Sequence, residues 1–201
     1  MTAVFGLFGS GLLCLAAVAA ALRGLPERAR AAAWLTAGIL IFVPFAALSA
    51  AGYVRGVIGD VSITTLVLAG AACARGPTGR NPIGHRNMLA LMGLVAAGAA
   101  FLYPFALGLT YFDPYALGYG SIGFIAALFA LTLVAWYARF YLAAIVVTAA
   151  ALAYLAGIYE SRNLWDYLLD PLVSLFAAGW LLRAARRSPS GGNRSTGGTA
   201  D

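Results

Sequence analysis

From Gly118 to Tyr159 the chain reads GYG SIGFIAALFA LTLVAWYARF YLAAIVVTAA ALAYLAGIY, with Arg139 as its only charged residue. A helix that crosses a membrane needs roughly 20 apolar residues at about 1.5 Å of rise each. This run holds enough for two such helices and is too long for one. Its interruption is the cluster Trp136-Tyr137-Ala138-Arg139-Phe140-Tyr141, where aromatic rings surround a single arginine. That is the composition of a tight turn at the level of the lipid headgroups.

Outward from this pair the same pattern recurs. Thr2 to Leu22 has no charge; Ala31 to Val54 carries Pro44; Val57 to Ala74 has Asp60 near its start; Met88 to Leu109 carries Pro104. A last apolar segment runs from about Asn163 to Leu182. The expected fold is therefore all-α: a polytopic integral membrane protein with about seven transmembrane helices, forming a single domain over residues 1–187. Composition points the same way. Of 201 residues, 62% are hydrophobic and 10% charged, whereas a soluble domain is about half apolar and a quarter charged. A soluble fold of this length has too little interior to hide so much apolar surface.

Charge predicts the orientation. Every basic residue is Arg. Arg23, Arg28, Arg30, Arg75, Arg80, Arg86, Arg139, Arg183, Arg186, Arg187 and Arg194 fall on one side of the expected spans, and only Arg55 and Arg162 on the other. The expectation is an N-terminus outside, a C-terminus in the cytoplasm, and a bacterial-type inner (cytoplasmic) membrane. No basic residue precedes Arg23. The first segment thus lacks the basic leader region of a secretion signal and reads as a retained helix. Residues 188–201 contain no large apolar side chain, cannot offset their ordering entropy, and are expected to be a disordered cytoplasmic tail.

Missing residues exclude several chemistries. Without Lys there is no retinal or pyridoxal Schiff base and no phosphate-loop lysine. A single histidine, His85, supplies neither paired haem ligands nor a two-histidine zinc helix. Cys14 and Cys73 lie in separate apolar runs and read as small hydrophobes. No cofactor, metal or nucleic acid is expected; the expected partners are the lipid bilayer and other membrane-protein subunits.

The candidate polar site lies on the outer side. It comprises Arg55, Asp60, Asp113, Arg162, Asp166 and Asp170, among the aromatics Tyr53, Tyr111, Phe112, Tyr115, Tyr159, Trp165 and Tyr167. Asp113-Pro114 and Asp170-Pro171 each have the form of a helix start, with the carboxylate capping free N–H groups and Pro in the first turn. Asp60 reads equally as a cap for the third segment or as a site residue. In one straight helix, Arg162, Asp166 and Asp170 share a face, and Asp170 lies roughly 10 Å below the outer surface. Such an acid needs a polar interior or a partner, so an Arg162–Asp166 clasp and a polar site are the two readings. Ser62, Thr64 and Thr65 either bond back to their own helix or line a wet cavity with these acids. The basic run from Arg75 to Arg86 is expected to hold its loop against anionic headgroups. Gly59-Asp60 lacks the first glycine of the Gly-x-Gly-Asp run of intramembrane aspartyl proteases.

These observations predict a non-catalytic subunit or scaffold of a membrane assembly. One alternative is a carrier for a small or lipid-linked substrate with an outer acidic and aromatic cavity. Another is an outer-face enzyme with paired carboxylates. A scaffold requires its acids to be consumed by caps and arginine. A carrier requires a cavity reaching mid-membrane, and an enzyme two carboxylates close enough to share a proton.

Overall fold

A computed structural model describes residues 2–45, 47–106 and 112–187. The expected disordered tail, Tyr111 and the end of the fourth segment lie outside the described residues. The described chain is helical apart from one pair of two-residue strands: α1 (Thr2–Ala21), α2 (Glu27–Leu40), β1 (Pro44–Phe45), β2 (Leu48–Ser49), α3 (Ala50–Ile58), α4 (Ile63–Thr78), α5 (His85–Ala106), α6 (Ile122–Tyr137), α7 (Tyr141–Leu155), α8 (Leu164–Leu168) and α9 (Pro171–Arg187). Single-turn 3₁₀ segments follow α1 and precede α6. Two helical stretches, Thr2–Gly24 and His85–Phe105, are long and apolar enough to cross a membrane; the apolar helices α6 and α7 are shorter.

The turn expected inside the long apolar run falls where the aromatic cluster is. Arg139 has a φ of 61°, and the Phe140 N–H donates to the Ala135 carbonyl at 2.8 Å, closing α6 and starting α7 in the opposite direction. Arg86, at the start of α5, donates to the carbonyl of Ala138 at 3.2 Å and lies 4.9 Å over the Phe140 ring.

Three other expected segments are broken. The second, Ala31 to Val54, is α2, an antiparallel β1–β2 turn and α3. Pro44 has no N–H and cannot continue a helix, and Ser49 restarts one by accepting from the Gly52 N–H at 3.2 Å. The third, Val57 to Ala74, is split by Gly59, whose φ of 73° ends α3; Ser62 then caps α4 through the Thr65 N–H at 3.2 Å. The seventh, Asn163 to Leu182, is split at Leu169, which is extended (φ −134°, ψ 142°). A straight seventh helix is therefore overturned, and with it the shared face of Arg162, Asp166 and Asp170.

Helix α1 packs along α4 and against α3, while α5, α7 and α9 form a second group with α6 on its flank; α4 joins the two through α7. The densest core belongs to the second group, where Leu91, Met92, Val95, Val146, Val147, Ala150, Val173 and Ala177 are buried together. Glycine permits the close approach of α1: a Cβ on Gly6 would collide with the Arg55 and Asp60 side chains.

Candidate functional site

The interrupted helices bring the acids to one end of the bundle, and local hydrogen bonding fixes each of them. Asp170 is the most constrained. Its Oδ1 accepts from the Val173 N–H at 2.8 Å, capping α9. Its Oδ2 accepts from the Ser62 N–H at 2.8 Å and from the Thr65 hydroxyl at 2.5 Å, both at the start of α4. One carboxylate thus satisfies the N-termini of two helices, where free N–H groups and the helix dipole favour negative charge. Ser62 and Thr65 are buried, and Thr64 donates its hydroxyl to the Leu168 carbonyl. The Thr64 and Thr65 hydroxyls reach across to the Leu168–Asp170 segment, whereas the Ser62 hydroxyl stays at its own helix start, capping the Thr65 N–H and donating to the Thr65 hydroxyl.

Asp60 does not cap α4; that position belongs to Ser62. It pairs with Arg55 through Nε at 2.9 Å, each side chain about a quarter exposed. Arg55 also donates to the Ala3 carbonyl at 3.3 Å, tying α3 to the start of α1. Asp113 accepts from the Tyr115 N–H at 2.9 Å and caps the 3₁₀ turn Pro114–Gly118, in agreement with the cap reading. Asp166 forms no clasp with Arg162, which is exposed. It accepts from the Tyr115 hydroxyl at 3.0 and 3.2 Å and from the Ser161 hydroxyl. Burial, followed by the hydrogen bond to Asp166, pushes the Tyr115 phenol above its usual range.

Around these acids the segment from Tyr159 to Asp170 forms a knot of polar contacts. Asn163, fully buried, caps α8 through the Trp165 N–H at 2.9 Å and donates to the Tyr115 carbonyl at 2.9 Å. The Trp165 indole donates to the Pro114 carbonyl at 2.9 Å. The Tyr159 hydroxyl donates to the Val61 carbonyl at 2.7 Å, and the Tyr167 hydroxyl accepts from the Tyr159 N–H at 3.2 Å. Most members were visible in the sequence as an interfacial belt of aromatics. Their role in holding the breaks of two helices was not, because it depends on partners about 50 to 100 positions away. Tyr53 lies apart from this group, with its ring 5.5 Å from that of Phe45.

A cavity of about 360 Å³ opens among these residues, lined by Asp60, Asp166, Asp170, Tyr103, Tyr115 and Tyr159 with Ser161 and Leu169. It unites three of the six expected site residues. Arg55 borders it through Asp60, whereas Asp113 and Arg162 are outside its lining. Tyr103, in the last turns of α5, was not foreseen; nothing in its local sequence marks it. Leu102 and Leu169 add apolar lining, and the buried Leu91, Met92, Val95 and Val173 fill the core of the same helix group. Among the described residues, each lining carboxylate is hydrogen-bonded to donors and none to another carboxylate. No protein-family model, curated protein or solved structure matches this chain.

Proposed function

We propose that the chain is a multi-pass inner-membrane protein that acts as a non-catalytic subunit or scaffold of a membrane assembly. The membrane reading is supported by the surface. Large apolar side chains stand exposed around the bundle, among them Val4, Ile39, Ile122, Phe129, Ile145, Leu155 and Leu175, far more than a soluble exterior carries. A route of seven passes is supported by the alternation of ends. The Thr2 hydroxyl donates to Glu160 at 3.3 Å, placing the start of α1 beside the acids, and successive passes then alternate between that end and an arginine-rich one. The α2–α3 pair makes a single broken pass, and α9 ends at Arg183, Arg186 and Arg187.

The scaffold reading rests on Asp170. In membrane carriers, half-helices expose their N-termini to an anionic substrate group. Here two such N-termini, those of α4 and α9, face a carboxylate of the chain itself. The position where a carrier would receive its anion is filled from within. The other acids are consumed by Arg55, Tyr115, Ser161 and a cap. This arrangement ties the starts of α4 and α9 together through one carboxylate.

The test compares accumulation with phenotype. Asp60→Asn, Asp166→Asn and Asp170→Asn are introduced separately into the chromosomal copy, and membrane-inserted protein is measured beside the phenotype of the deletion strain. For a scaffold, function follows the amount of inserted protein in every variant. A variant that accumulates normally and loses all function would replace this reading with the carrier or the enzyme.

A further inference from the structure

At the end opposite the acids, the two helix groups part around a groove of about 1210 Å³. Its rim carries Arg23 after α1, Arg30 on α2, Arg75 on α4, and Arg183 and Arg187 on α9. None of its lining residues is acidic. Among the described residues no carboxylate lies within ion-pair distance of these five arginines. Arg30 reaches the Pro77 carbonyl at 3.4 Å through Nη2, while its buried Nε finds no hydrogen-bond partner among the described residues. The lining also has an apolar part, with Leu68, Met88, Phe176 and Trp180. His85 also lines the groove and holds its ring 5.4 Å from that of Trp180.

Five arginines lining one groove with no counter-charge among the described residues repel one another, and a buried N–H without an acceptor is costly. A group with negative charge and several acceptor oxygens removes both penalties. Phosphate matches best, because guanidinium N–H pairs meet its oxygens two at a time. The volume exceeds that of a headgroup-sized site, and its apolar wall has no use for a bare ion. We propose that this groove binds a phosphate-bearing ligand, with the arginines holding the phosphate and the Leu68–Trp180 wall taking an apolar portion. The phosphate belongs either to a membrane lipid or to a soluble compound. The lipid source rests on the membrane reading above, which resistance to alkaline carbonate extraction tests separately.

The full chain, purified in neutral detergent and stripped of lipid, is titrated with dioctanoyl phosphatidylglycerol, dioctanoyl phosphatidylcholine and inorganic phosphate. Tryptophan fluorescence and the thermal midpoint are followed. The expected result is saturable binding of the anionic lipid and little response to the zwitterionic one. Losing charge-assisted hydrogen bonds should weaken binding about tenfold or more in the Arg30→Gln/Arg75→Gln variant. The exposed pair Arg183→Gln/Arg187→Gln should weaken it in the same direction and carries the test if the first variant does not fold. Arg28→Gln removes a charge at the same end without altering the groove lining and should bind as the wild type does. Inorganic phosphate that binds alone and displaces the lipid assigns a soluble phosphate compound; phosphate that does not compete assigns the lipid headgroup. Absence of saturable binding by either probe would overturn the proposal. So would wild-type binding in both double variants, or an equal loss in Arg28→Gln.

Discussion

Replacing Asp170 by Ala removes one acceptor group and strands three donors. The Val173 N–H, the Ser62 N–H and the Thr65 hydroxyl all end on its carboxylate at 2.5–2.8 Å. A lost helix cap costs about 1 kcal/mol, and each buried donor without a partner costs about 1–3 kcal/mol. With the cap counted at Val173 and the other two donors stranded, the expected loss is about 3–7 kcal/mol, a large share of the 5–15 kcal/mol typical of a folded domain. Asp170→Asn is instructive because a simple cap tolerates it almost without loss. Here it does not suffice. One amide oxygen can still serve Val173, and the amide N–H₂ can donate to the Thr65 hydroxyl once that hydroxyl rotates. The Ser62 N–H is then left facing another donor. Asn should therefore lose about 1–3 kcal/mol, between wild type and Ala.

The assay is the thermal midpoint and the inserted amount of each variant in the same detergent, with tryptophan fluorescence as the unfolding signal. Acetate supplies a further test, since Asp170 borders the 360 Å³ cavity. Tens of millimolar acetate should raise the midpoint of Asp170→Ala by binding between the two helix N-termini, and should leave the wild type unchanged. Equal midpoints for wild type and Asp170→Ala would refute the double-cap account. If Asn matches wild type while Ala falls by only about 1 kcal/mol, the carboxylate caps α9 alone.

Other consequences follow from neighbouring contacts. Gly118→Ala should destabilise by about 1–3 kcal/mol or abolish accumulation, because the new Cβ would collide with the Asn163 side chain that caps α8; a normal thermal midpoint would show that this knot yields. Asp60→Asn should cost no more than about 1 kcal/mol, since its partnership with Arg55 is partly solvated, and a larger loss would mark Asp60 as a second structural anchor. Tyr115 makes an alkaline prediction. Its phenol is held above its usual value by burial and by Asp166, so its contribution is complete below the unfolded tyrosine value of about 10 and is lost as pH rises through the higher folded value. Wild-type stability should decline across that window, with a shallower slope in Tyr115→Phe; identical slopes would remove Tyr115 as the cause.

The all-helical architecture was legible in the long apolar runs, and the turn at Ala138–Phe140 announced itself through aromatics around one arginine. The breaks were less legible. Gly59 and Pro44 were visible as residues, but hydropathy averaged over a window passes across them. At Leu169–Asp170 the pair Asp170-Pro171 marked a helix start locally; what the sequence did not show is that donors on α4 also end on the Asp170 carboxylate. Asp113 could be read correctly because its cap is local, two residues from its donor. Asp60 and Asp166 could not, since Ser62 took the cap that Asp60 might have filled, and Asp166 found Tyr115 and Ser161 in place of Arg162. The arginine groove was equally hidden. Its members are spread from Arg23 to Arg187 and carry, one by one, only the signal of orientation.

The central claim is that the chain alternates between an acid-bearing outer end and an arginine-bearing inner end through an odd number of passes. A reporter active only in the periplasm, fused after Asp113 and, separately, after Asp201, tests it most directly. The account predicts activity after Asp113 and none after Asp201, with both fusions inserted in the membrane. Activity after Asp201 and none after Asp113 would contradict it.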